Sequence, residues 1–283
     1  MFDTFKNRLE ITGTLTTITA LHISAGRSSE PIGTDSPVIK DTFGNPFIPG
    51  ASFKGALRSR LESFLRGILG NERHFVANPA DEREWSITVE EMKQLKENSS
   101  DDQTFTQEIL NKTDLISLLF GSPWLASKLQ VRDLTVKPDT WFGQYLERDG
   151  VAIDRDTETA ADGKLYDYQV VPADTAFEFK AVVENAEEWE LGLLMIGLHQ
   201  FETEQIPLGA GRSRGLGVVQ LKIDKMQWFD TQDDPKRLIQ YLQNLLIESD
   251  DIYEDAQNKK DKWVKALIEH LKNKMSSNKS IKI

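Results

Sequence analysis

The 283 residues carry a net charge of −11, are 39% hydrophobic and include no cysteine, which allows a sizeable core in one large domain or two smaller ones. The lack of cysteine excludes a disulfide framework and a thiolate metal site, and no run of eighteen apolar residues is present to span a membrane. The opening Met1-Phe2-Asp3-Thr4-Phe5-Lys6 lacks the apolar core of a signal peptide, so a cytoplasmic protein is expected.

Along residues 8–23, Leu9, Ile11 and Leu15 alternate with polar residues and many threonines, which predicts a strand. Residues 24–50 are rich in Gly, Ser, Pro and Asp and read as a long loop, with Pro37-Val38-Ile39 a short extended piece. Ser52 is then a candidate cap for a helix whose apolar positions Phe53, Leu57, Leu61, Phe64, Leu65 and Ile68 follow helical spacing up to Gly70. Residues 71–112 are polar and charged, an insertion that runs on to about 128, helical around 88–97 with a loop tip at Ser99-Ser100-Asp101-Asp102. A short helix is expected over 113–121, closed by Gly121-Ser122-Pro123, and a strand over 129–137.

The polar stretch 138–172 reads as a projecting hairpin that turns at Asp162-Gly163. Phe177, Phe179, Ala181 and Val183 alternate as a half-buried strand, 187–202 is helical, and Val219, Leu221 and Ile223 make a final strand. Strand, helix, strand, strand, helix, strand suggests an α+β, ferredoxin-like core over 1–225, the topology that RNA-recognition domains use. Residues 226–283 follow as a helical extension with a basic end.

Charge is unevenly distributed. Around the first helix, residues 47–70 hold Lys54, Arg58, Arg60 and Arg66 against Glu62, a balance of +3; residues 205–225 hold Arg212, Arg214, Lys222 and Lys225 against Asp224, again +3. Both windows contain glycine-bearing motifs: Phe47-Ile48-Pro49-Gly50-Ala51-Ser52-Phe53-Lys54-Gly55-Ala56-Leu57-Arg58, and Leu208-Gly209-Ala210-Gly211-Arg212-Ser213-Arg214-Gly215-Leu216-Gly217. Glycine lets backbone approach a ligand while the arginines and lysine supply cations, so a polyanion bound in a defined groove is expected. The second motif precedes a strand, whereas dinucleotide and P-loop motifs follow a strand and open a helix, so a nucleotide-cofactor or phosphometabolite enzyme is disfavoured.

These two motifs, in this order, resemble those of the RAMP superfamily of CRISPR proteins. Leu21-His22-Ile23 followed by Ile32-Gly33-x-Asp35-x-Pro37-Val38-Ile39-x-Asp41 is similar to the repeated backbone subunit of type III interference complexes. The resemblance implies a subunit that stacks along a guide RNA beside other effector subunits, and projects a thumb-like hairpin into the duplex with complementary target RNA. It also implies target cleavage that needs one aspartate in the loop before the first helix together with Mg²⁺ or another divalent cation. Asp35 matches that position and is the candidate catalytic and metal-holding residue. The hairpin at 138–172 would be the thumb, with Ile153 placed to wedge between bases. Ser52, Lys54, Arg58, Gly209, Gly211, Arg212, Arg214 and Gly215 are the further candidate RNA contacts.

The chemistry can be stated independently of the family. A neighbouring 2′-hydroxyl attacks a scissile phosphate once it is held in line, the phosphate charge is neutralised and a proton is moved. A carboxylate holding a hydrated cation suits that reaction. His22 is a second catalytic candidate as a general base, and Asp41 a weaker one that also suits a Thr42–Gly44 turn. Two other readings stay open: a non-catalytic guide-RNA scaffold, and a stand-alone ribonuclease that processes precursor RNA with His22 as base.

Overall fold

The structure, a computed structural model, describes residues 4–26, 34–153, 155–156, 158–247 and 249–281, with the backbone alone for 152–153, 160–165 and 277–281. Its centre is strand β1 (Asn7–Thr17), where the alternation of the sequence puts Leu9, Ile11 and Leu15 on the buried face. After the long loop come β2 (Phe47–Ile48) and helix α1 (Gly50–Leu69). The insertion contributes α2 (Val89–Asn98), α3 (Asp102–Lys112) and α4 (Leu115–Phe120), and is followed by the short strands β3 (Leu129–Val131) and β4 (Leu134–Thr135). Strands β5 (Leu146–Ile153) and β6 (Ala160–Val170) form a separate antiparallel hairpin. Then come β7 (Ala176–Glu184), α5 (Glu188–Glu202), β8 (Val219–Asp230), α6 (Pro235–Leu246), β9 (Glu254–Asp255) and α7 (Lys260–Ile281).

The fold is α+β. Its main sheet has the order β3-β7-β1-β8-β9, antiparallel throughout, with Leu15 opposite Phe177 on one side and Leu221 on the other. Helices α1 and α5 cover the sheet through stacked aromatics: Phe53 lies 4.3 Å from Phe201 and 5.0 Å from Phe179 of β7, centroid to centroid. These rings and the Leu57–Leu61–Leu65 ridge of α1 are buried, and burial of such apolar surface is the main source of stability in the molecule.

Several boundaries differ from those the sequence suggests. Ser52 does not cap α1: the helix begins at Gly50 after Pro49, and the Gly50 N–H donates instead to Asp133 Oδ1 at 2.8 Å, a cap supplied from 83 residues away. The hairpin connection lies between Ile153 and Ala160, and Asp162-Gly163 sits inside β6. The expected strand over 129–137 is two short ones, because β3 pairs with β7 while β4 pairs with β2. Helix α3 goes unpredicted since none of its residues is buried and no apolar stripe marks it; Asp101 caps it by accepting the Thr104 N–H.

The division at 225 falls inside β8. Beyond it, β9 extends the sheet, and Trp263 and Leu267 of α7 join the main core, Trp263 edge-on to Trp228 at 5.5 Å. Tyr241 of α6 stacks on Phe229 at 4.6 Å. The segment after 225 is therefore built into the core rather than appended to it.

Candidate functional site

Along α1, the two motif cations point into protein. Lys54 Nζ donates to Ser127 Oγ at 2.6 Å and to the Leu129 carbonyl at 2.9 Å, and burial, reinforced by neighbouring Arg58, lowers its pKa. Arg58 donates to Glu62 (2.8 Å), the Gly121 carbonyl (3.0 Å) and Ser117 Oγ (3.1 Å). Both side chains tie α1 to the end of the insertion. At Gly55 and again at Gly67 the helix surface is open, with nothing near the position a Cβ would take.

The glycine-rich loop closes on itself and on the loop after β1. Leu208 N–H donates to the Gly217 carbonyl (2.8 Å), Gly217 N–H to the Ala20 carbonyl (2.9 Å) and Ala210 N–H to the His22 carbonyl (2.9 Å). Gly209 and Gly217 have φ of +74° and +81°, and a Cβ at either would run into backbone, the carbonyl of His22 or of Leu208. Only glycine fits both positions. Gly211 and Gly215 flank a short 3₁₀ turn, Arg212–Arg214, that lifts both arginines to the surface. Arg214 Nη1 donates to the Tyr166 hydroxyl at 2.9 Å, and Arg212 is exposed at the start of the turn.

His22 is buried beneath this loop. Its Nδ1 donates to the Gln169 carbonyl at 2.6 Å, leaving Nε2 to accept from Ser36 Oγ at 3.3 Å, and Tyr168 packs edge-on at 5.4 Å. Both ring nitrogens thus have protein partners, a positioning arrangement. Residues 34–36 run alongside β6, bridged at Ser36 and Tyr168. Here Asp35 meets Asp167: the Asp35 N–H donates to Asp167 Oδ1 at 2.6 Å, and the Asp167 N–H returns a bond to Asp35 Oδ2 at 3.2 Å. Asp35 is exposed. Next to it, Thr34 Oγ1 donates to Glu147 on β5. Asp41 shapes its own turn instead: its carboxylate accepts the Phe43 and Asn45 N–H groups, and the Asn45 backbone bond first among these holds its pKa low.

The structure therefore gathers His22, Asp35, Arg212, Arg214 and the glycine loop around the foot of the β5–β6 hairpin. Ser52, Lys54 and Arg58 lie on α1, and no hydrogen bond or ion pair among the described residues joins them to that group. Ile153 ends β5 and its side chain lies outside the described residues. Sequence reasoning missed Asp167, Tyr166, Tyr168 and Asp133. The alternation Tyr166-Asp167-Tyr168 is a visible strand signature, yet nothing local says which loop will lie against it. Among the described residues, no three His, Asp or Glu side chains converge to cage a metal ion.

The sequence model of the RAMP superfamily matches residues 14–220, from β1 into β8. The chain belongs to this superfamily. Both glycine motifs and the Asp35 loop lie within the matched RAMP region; α6, β9 and α7 lie beyond it. Among curated proteins, the chain is similar to the CRISPR system Cms endoribonuclease Csm3 of Enterococcus italicus, 26% identical over 227 residues covering 78% of this chain and 92% of the relative. The protein of the same name from Streptococcus thermophilus is 28% identical over 206 residues, covering 71% and 81%. A shorter stretch of 56 residues is 48% identical to the Mycobacterium tuberculosis Csm3, covering 19% of this chain and 24% of that one.

Proposed function

We propose that this RAMP protein is a guide-RNA-binding backbone subunit of a type III CRISPR interference complex, and that it cleaves complementary target RNA. The observation that carries the reading is the placement of Asp35: an exposed carboxylate in the loop before α1, bonded to the hairpin strand and neighboured by the arginine-bearing glycine loop. The similarity to proteins named as Csm3 endoribonucleases, over most of their length, supports it. The ferredoxin-like core belongs to the same proposal, since the order β3-β7-β1-β8 with a helix in each crossover is what a split βαβ pair produces. So does the β5–β6 hairpin as a thumb, with Ile153 near its end as the wedge between bases.

In this reading, Arg212 and Arg214 hold the RNA backbone, presented by the Gly209–Gly217 loop. Ser52, Lys54 and Arg58 serve the same groove from α1, the two cations by holding the helix in place. The thumb unstacks the target so that a 2′-oxygen lies in line with its own phosphorus. That oxygen bonds to phosphorus as the bond to the 5′-oxygen breaks, leaving a cyclic 2′,3′-phosphate and a 5′-hydroxyl, with one proton moved from the first oxygen to the second. Asp35 and Asp167 together offer the oxygen donors that suit a hard cation keeping most of its waters, so Mg²⁺ or another divalent ion fits, held by Asp35. Such an ion would neutralise phosphate charge and supply an acidic water. His22 enters as a positioning residue for Ser36 and β6. Its engaged nitrogens weigh against the stand-alone nuclease that uses it as base.

Among the described residues, no helix is long and apolar enough to cross a membrane, and the cytoplasm is the proposed location, with guide RNA, target RNA and other effector subunits as partners. The deciding experiment assembles the complex with Asp35→Ala. Target cutting is expected to vanish, and EDTA to abolish it in the unaltered complex, while RNA remains bound. Undiminished cutting by the variant would overturn the assignment of Asp35.

A further inference from the structure

The hairpin stalk has two chemically different faces. Strand alternation puts Glu147, Asp149, Asp167 and Gln169 on one side, where Asp35 docks. On the other side are Arg148 and Gly150 of β5, directly opposite Tyr168 and Tyr166 of β6. A Cβ on Gly150 would run into the hydroxyl end of the Tyr166 ring, so the glycine leaves room for that end to lie over the strand. Its hydroxyl is pinned by Arg214 at 2.9 Å, and Tyr168 follows at 6.0 Å with a 31° tilt, itself edge-on to the His22 ring. Even so, Tyr166 remains 39% exposed.

A tyrosine that merely covers a strand glycine needs neither an arginine on its hydroxyl nor an open face. Here the hydroxyl end of the ring rests over Gly150 and is tied there by Arg214, so its orientation is set before any ligand arrives. Arg148 stands exposed on the same face of the stalk, and neither it nor Arg214 makes an ion pair among the described residues. An oriented, solvent-facing aromatic ring bordered by such arginines is what a single nucleobase and its flanking phosphates require: the ring face stacks the base whatever its identity, and the guanidinium groups meet the backbone. A peptide without carboxylates would gain from the ring but leave the arginines unmatched.

We infer that Tyr166 is a base-stacking platform for one nucleotide of a bound RNA strand, with Arg148 and Arg214 as its phosphate contacts. The inference rests on the RNA-binding reading above and adds a site to it. It also gives Gly150 a role: the absent side chain leaves room for the hydroxyl end of the ring.

The test uses the assembled complex with Tyr166→Leu and Tyr166→Phe, together with zero-length photocrosslinking of RNA that carries 4-thiouridine at successive positions. Tyr166→Leu is expected to weaken RNA binding roughly tenfold, the loss of one stacked base, and Tyr166→Phe to recover most of it. In the unaltered complex, one nucleotide position should crosslink to Tyr166. Wild-type affinity in Tyr166→Leu, or crosslinks that reach the glycine loop but never 165–168, would overturn the platform. Should the leucine variant loosen the hairpin, seen as faster proteolysis between Ile153 and Ala160, the wild-type crosslink decides alone. Failure of the unaltered protein to bind RNA would instead defeat the functional reading itself.

Discussion

Asp35 and Asp167 hold one another through a reciprocal pair of hydrogen bonds, each backbone N–H donating to the other's carboxylate. A loop residue singled out by its motif is thereby attached to the strand of the hairpin, so any tilt of the hairpin carries the carboxylate with it.

Asp167→Ala removes the acceptor for the Asp35 N–H and frees the loop. Target cleavage in single turnover should fall by roughly ten- to a hundredfold, the usual effect of a misplaced catalytic group. RNA affinity should hold, and Asp167→Asn, which keeps a carbonyl acceptor, should recover most of the loss.

Arg58 and Arg212 come from the two motifs but should respond to different assays. Arg58→Ala leaves the largely buried Glu62 with only the longer Arg66 contact, removes a partner from two further acceptors, and should cost about 2–3 kcal/mol in denaturant unfolding. Arg212→Ala should leave unfolding unchanged while reducing the salt dependence of RNA binding by about one phosphate contact.

Glycines should divide in the same way. Gly209→Ala places a methyl against the His22 carbonyl at a left-handed backbone position and should detach the loop, lowering RNA affinity. Gly55→Ala, in open space on α1, should raise stability by about 0.5–1 kcal/mol through helix propensity. If RNA lies on that face, the stabler variant will bind it less well.

Lys128 and Glu190 form a buried ion pair with both carboxylate oxygens engaged, at 2.7 and 2.6 Å. Burial pushes the Glu190 pKa up, and Lys128 pulls it back. Lys128→Met should cost about 3–5 kcal/mol at neutral pH. With the cation gone the carboxyl binds its proton more readily folded than unfolded, so stability should fall as pH rises and return as pH drops through the shifted range. Denaturant unfolding at several pH values checks both the size and the sign.

Glu91 behaves oppositely. The Arg73 guanidinium, aided by the capping bonds of Thr88, lowers its pKa from 4.5 to about 2. Its contribution is complete above the unfolded value and is lost as pH falls from 4.5 through 2. Arg73 also donates to the Trp85 carbonyl, so a change in tryptophan emission over that acid range, absent in Glu91→Gln, should report the insertion loosening.

Leu9, Ile11 and Leu15 made β1 legible because strand burial has a period of two, and Phe53 to Leu65 made α1 legible because helical burial has its own. Asp35 and the glycine loop were legible as motifs. What escaped depends on distance along the chain. Gly50 is capped by Asp133, Asp35 is held by Asp167, and Arg214 reaches Tyr166, partners separated by 48 to 132 residues. The inward turn of Lys54 and Arg58 escaped for the same reason, since their acceptors come mainly from the insertion and the strand after it. The C-terminal segment read only as a helical extension because helical periodicity shows that a face is apolar without showing what it covers; Trp263 covers the main core.

Both borders of the five-stranded sheet are brief. At one side β9 is two residues, Glu254 and Asp255, both acidic, and at the other β3 is three. Borders this short, one of them acidic, offer a second chain little to pair with, which blunts amyloid-like growth. In the proposed function, where copies stack along a guide RNA, such borders leave the stacking to helices, loops and the RNA threaded between them.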